Sequence, residues 1–75
     1  MASEQLKLGR KIMGLREHLG LNQIDFAKRL NVRQSTISMW ERNQQAPERQ
    51  QIKQLVMLAR EGGFELTYDD FYNGD

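Results

Sequence analysis

The sequence predicts an all-α domain of four to five short helices, and three observations lead there. Apolar residues recur every third or fourth position, first at Leu8, Ile12, Leu15 and Leu19, then at Ile52, Leu55, Val56 and Ala59. That spacing lines up one face of a helix. Residues that stop helices separate these stripes: Gly20, Asn31 and the pair Gly62–Gly63. Asn22 followed by Asp25, and Thr67 followed by Asp70, have capping-box spacing, in which side chains take up the free N–H groups of a helix's first turn.

Each element can then be justified in order. The first helix runs from about Glu4 to Leu19 and stops at Gly20. The second is short: Asn22 caps it, Phe26, Ala27 and Leu30 form its inward face, and it ends near Leu30. Asn31 follows, a residue that tolerates the left-handed backbone of a tight turn. A third helix is expected from about Arg33 to Arg42, with Val32 as an apolar plug before it. The loop "NQQAP" follows, and Pro47 suits the first position of a fourth helix. That helix carries the second apolar stripe and ends at Gly62–Gly63. In the closing segment, "FELTYDDFYNGD", a last turn over Tyr68–Tyr72 is expected, tethered by Phe64, Leu66 and Phe71. A short strand around Glu65–Thr67 is the competing expectation. The chain reads as one domain, 1–75, with a core over 4–61 and a tail over 62–75.

Composition bounds the function. A 75-residue domain buries only about 60% of the surface its unfolded chain exposes, so its single core must be efficient. There is no cysteine to staple it and no Cys/His set to hold zinc. No apolar run reaches the roughly 18 residues of a membrane span, and "MASEQLKLGR" lacks the apolar centre of a signal peptide. A cytoplasmic protein is expected, without metal or cofactor. The 11 basic and 10 acidic residues are unevenly spread: residues 62–75 hold four acids (Glu65, Asp69, Asp70, Asp75) and no base, leaving 11 basic against 6 acidic residues in 1–61. A basic body with an acidic tail suits a polyanionic partner, although many solvated helical surfaces look similar. With His18 as the single histidine and no carboxylate pair in a plausible cleft, an enzyme is the poorest expectation.

The third helix is the informative one. At 100° per residue, Ile37 and Trp40 mark its inward side, flanked by Arg33 and Glu41. Ser35, Ser38, Met39 and Arg42 gather on the outward side, with Gln34 at its edge near the N-terminus. The short helix before it, joined by a turn of about three residues, would cross it steeply, as in a helix-turn-helix. Such a pair can push its second helix into a DNA major groove about 12 Å wide. Glutamine there can match adenine's N6 and N7, arginine can match guanine, serine bonds bases or phosphates, and methionine can touch a thymine methyl. A merely solvated face is the alternative, but such faces are usually richer in Glu and Lys.

Over about Gly9 to Leu58, "GRKIMGLREHLGLNQIDFAKRLNVRQSTISMWERNQQAP" resembles the lambda-repressor/Cro-like helix-turn-helix family, also called the XRE family. The resemblance rests on Arg16 in the first helix, Gln23 opening the second, Ala27 in its middle, Val32, Ser35, Ile37, Ser38, Trp40 and Glu41 in and before the third, and a later proline. It implies that Gln23 binds a DNA phosphate and that Arg33, Gln34, Ser35 and Met39 read bases, with Ser38 at the edge of that face. Arg42, Asn43 and Gln44 look like a stretch that contacts the DNA backbone. Arg16 and Glu41 are similar to the family's buried ion pair. Ile37 and Trp40 would be core, and Ala27 is small so that the second and third helices can approach. Two departures stand out. Asparagine occupies positions 31 and 43 where the family often has glycine, and Arg33 stands where Ser or Thr often caps the third helix.

The resemblance implies a sequence-specific double-stranded DNA-binding transcriptional regulator of bacterial or phage type, expected to be a repressor on a palindromic operator and associated with the nucleoid. Pairing as a homodimer is expected, with Tyr68, Phe71 and Tyr72 in the tail as the place to look for the contact. Two rivals are an antitoxin that binds a toxin and autoregulates its operon, and a protein-interaction module that has lost DNA binding.

Overall fold

A computed structural model describes residues 2–72 of the chain, with side chains from Leu8 onward. Asp75, counted among the tail's acids, lies outside them. Five helices follow one another: α1 over Ala2–His18, α2 over Gln23–Leu30, α3 over Gln34–Glu41, α4 over Arg49–Gly62 and α5 over Tyr68–Tyr72. The architecture is all-helical, and no strand forms over 65–67. There the Thr67 N–H donates to Asp70 Oδ2 at 2.8 Å, which commits the segment to a helix start.

The predicted punctuation is in place. Asn22 Oδ1 accepts from the Asp25 N–H at 2.8 Å, capping α2. Asn31 takes the left-handed backbone (φ 59°), and Val32 N–H bonds back to the Ala27 carbonyl at 2.9 Å. Gly63 does the same for α4 at φ 72°, a conformation in which a Cβ is strained. One expectation needs correction. Pro47 does not open α4; the helix begins two residues later, at Arg49, with Glu48 as its cap residue. Gln51 Oε1 accepts from the Glu48 N–H at 2.8 Å, so the cap fixes the start, and Pro47 is buried ahead of it.

Both apolar stripes reach the centre. Ile12 and Leu15 of α1, Phe26 of α2, Ile37 and Trp40 of α3 and Leu55 of α4 are its largest fully buried side chains. Leu66 is buried with them, and Phe64 and Phe71 pack around the rim, so the tail is tethered as the sequence suggested. Gly9 lets α1 come close to the end of α3. A Cβ built there would lie 2.5 Å from the Glu41 carbonyl oxygen and 2.6 Å from Asn43 Nδ2. Gly9→Ala should therefore destabilise: overpacking costs about 1–3 kcal/mol, against at most about 1 kcal/mol gained in helix preference. Thermal unfolding checks this, and a raised melting temperature would contradict the close approach.

The last helix is clipped to the first by Lys11 Nζ, which donates to Asp70 Oδ1 at 2.6 Å. Burial by itself would raise the Asp70 carboxyl. The hydrogen bonds from Lys11 and from Thr67 together outweigh it and hold the group below its ordinary range. A carboxyl depressed in the folded state stabilises above its unfolded pKa and loses that contribution as pH falls through the folded value. Because Lys11 is well exposed, the clip contributes no more than about 1 kcal/mol. Asp70→Asn should thus be slightly less stable than the parent at neutral pH. The gap should narrow only as pH falls below about 4, through the depressed folded value, in urea unfolding; a gap constant with pH would refute the link.

Candidate nucleic-acid interface

α3 is anchored from behind. Ile37 is 0% and Trp40 1% exposed, and Ala27, itself buried, keeps α2 close. On the other side Arg33, Gln34 and Ser35 are exposed, while Ser38 and Met39 are half-buried. Arg33 occupies the N-cap position with extended backbone (φ −82°, ψ 151°), and its side chain makes no cap bond. A serine or threonine there would supply about 1 kcal/mol, so the arginine is left free to point elsewhere.

Beyond α3 the expected backbone-contacting residues diverge. Arg42 and Gln44 are exposed, and Arg42 Nε donates to the Ser38 carbonyl at 3.3 Å. Asn43 is turned inward. Its backbone is left-handed (φ 59°), as in the family's glycine, and its Oδ1 accepts from the Gly9 N–H at 3.1 Å. Its side-chain oxygen therefore ties α1 to the end of α3.

The ion pair inferred between Arg16 and Glu41 is present. Arg16 Nε donates to Glu41 Oε2 at 2.6 Å and its NH2 to Oε1 at 3.2 Å, while NH1 reaches the Leu21 carbonyl at 3.0 Å. Glu41 is 7% exposed. The hydrogen bond to Glu41 raises the guanidinium pKa further against the opposing effect of burial, with the attraction of Glu41 and Glu17 adding to it. A base with a raised folded pKa contributes its stabilisation in full at pH values below its unfolded pKa, so Arg16 stays charged throughout the ordinary range.

Sequence reasoning assigned Gln23, Glu41 and Gln34 to separate roles; side-chain bonds link them. Gln23 Nε2 donates to Glu41 Oε1 at 3.0 Å, and Gln34 Nε2 donates to Gln23 Oε1 at 2.6 Å. Two glutamines eleven residues apart across a turn carry no periodic signal, which is why the link was not foreseen. His18, the lone histidine, binds the Gly62 carbonyl through Nε2 at 2.7 Å and lies against Phe64, joining the ends of α1 and α4.

The family model described as helix-turn-helix matches residues 12–63. The chain belongs to the lambda-repressor/XRE helix-turn-helix family. No curated protein and no solved structure matches it. In this helix-turn-helix domain, α2 and α3 are the paired helices, and α3 bears the polar outer face. The matched segment ends at Gly63, so α5 lies beyond it. The family's domain is that of DNA-binding transcription regulators, which act on double-stranded DNA. Among the described residues no helix is long and apolar enough to cross a membrane.

Proposed function

We propose that the chain is a sequence-specific repressor that lays α3 in the major groove of a palindromic operator and pairs there with a second copy. The observation that carries this reading is the division of α3 between a sealed apolar side and an exposed end rich in hydrogen-bonding groups. Arg33, Gln34 and Ser35 read base edges, with Ser38 and Met39 at the margin of contact. Gln23 at the start of α2, with Arg42 and Gln44 after α3, grips phosphates. Asn43 is the weakest member of that set, because its side-chain oxygen is committed to Gly9; it serves by holding the loop that carries its neighbours.

A single module of this size reads few bases, so two copies one helical turn apart, about 34 Å, give the usual solution. The aromatic surface of α5 supports pairing: Tyr68 and Tyr72 are 42% and 55% exposed and stack at 6.5 Å, with Met57 of α4 also exposed.

Selection of bound duplexes from a random pool tests the proposal. Two half-sites related by dyad symmetry are expected, with log affinity falling by about 0.9 per phosphate contacted per log unit of salt. Gln34→Ala should cost about 1–3 kcal/mol on the selected site and relax one base position. Arg42→Ala should weaken all sequences alike and flatten the salt slope by about one. A pool without enrichment, or binding indifferent to salt, would instead favour a protein-interaction module.

A further inference from the structure

The surface shared by α4 and α5 holds two halves that fit each other. Lys53, Met57 and Arg60 are exposed at intervals of four and three residues, so they form one stripe along α4 with a cation at each end. α5 packs against α4 and presents Tyr68 and Tyr72, both exposed. Their rings lie within 16° of parallel and 6.5 Å apart, near the loose end of the range for aromatic pairs. Neither ring is spent on the other, and each keeps a negative face for a third group. A groove of about 220 Å³ joins the two helices, with Arg60, Glu65 and Tyr68 on its wall. Among the described residues, neither the Arg60 nor the Glu65 side chain has an ion-pair partner, and no cation stacks on either tyrosine.

A surface that carries both a free cation and an open aromatic acceptor is self-complementary. A two-fold axis through the groove brings Arg60 of each copy to the rings of the other. Charge agrees with this: residues 62–75 hold four acids and no base, whereas the exposed stripe of α4 is basic. A guanidinium lies flat on a tyrosine face and is weakly hydrated, so it gives up little water in doing so. We infer that two copies are held together by Arg60 of each stacking on Tyr68 and Tyr72 of the other. Glu65 supplies the countercharge, and Met57 is covered between the copies. This contact presupposes the pairing proposed above. It belongs to the chain's own tail, since α5 lies beyond the matched helix-turn-helix segment.

Arg60→Gln, and Tyr68→Leu combined with Tyr72→Leu, test it, because these side chains are exposed and lie outside the core. Circular dichroism should show parental helix content in both variants. Sedimentation equilibrium then gives the dissociation constant of the pair for the parent, for each variant alone and for an equal mixture of the two. Each variant alone should pair about tenfold more weakly than the parent, since two cation–π contacts of about threefold each are lost. The mixture restores one of them, from the Arg60 of one variant to the intact rings of the other, and should recover about threefold. Stacking of Arg60 on the rings of its own chain predicts no recovery. A folded Arg60→Gln that pairs as tightly as the parent, or a mixture no tighter than its components, overturns the contact and leaves pairing standing. A parent that stays monomeric, both free and on a duplex with two half-sites, overturns pairing and the contact together.

Discussion

Replacing Glu41 with alanine is expected to cost the domain about 3–5 kcal/mol, the range for abandoning one member of a buried ion pair. Its carboxylate accepts from Arg16 twice and from Gln23 once, behind a surface that leaves it almost wholly covered. After the substitution Arg16 keeps, among the described residues, only the Leu21 carbonyl, and its side chain, 14% exposed, has little water to turn to. A chain of this length has roughly 4–11 kcal/mol of stability at about 0.05–0.15 kcal/mol per residue, so the loss takes a large share. The melting temperature should fall by about 12 °C or more. Urea unfolding measures the free energy directly, and a loss under about 1 kcal/mol would reduce the pair to a surface contact. Removing both charges together, as Arg16→Met with Glu41→Leu, should recover much of the stability, since well-packed apolar pairs often replace buried ion pairs without penalty. Such a double variant would fold yet lack the carboxylate that orients Gln23.

Trp40→Ala should be equally severe, about 3–5 kcal/mol, because it empties the largest side chain at the centre of the core. Trp40→Phe should be far milder. The indole Nε1 is buried and bonded to no acceptor among the described residues, an arrangement that costs about 1–3 kcal/mol by itself. Phenylalanine gives up apolar area but removes the orphan donor, and the two effects offset one another to a net loss below about 2 kcal/mol. Equilibrium unfolding of both variants checks this. A phenylalanine as damaging as alanine would mean that the indole nitrogen has a partner in solution.

Most of the fold was legible because its signals are local. Apolar stripes at helical spacing locate α1 and α4, and Asn22, Asn31 and Gly63 mark the ends they were expected to mark. Even the bare cap at Arg33 could be read, since the residue there has no short oxygen to offer. The start of α4 departs from the expectation because Pro47 is a strong local signal, whereas the Glu48–Gln51 bond is what sets the boundary. The candidate site was legible by residue type and by resemblance, not by connection. Nothing periodic joins Gln23 to Gln34, Gly9 to Asn43 or Lys11 to Asp70; those pairs meet only after the helices have crossed. Asn43 shows the consequence: by position it belongs with the outward loop, yet its side chain reaches back to α1.

The chain has a single tryptophan, and it lies at the hidden back of α3. Its fluorescence is therefore a built-in gauge of integrity. Emission should shift red when the helices come apart, yet stay put when a duplex settles against the opposite side. Unfolding can thus be followed in the presence of a duplex without attaching a dye, and association leaves that signal undisturbed.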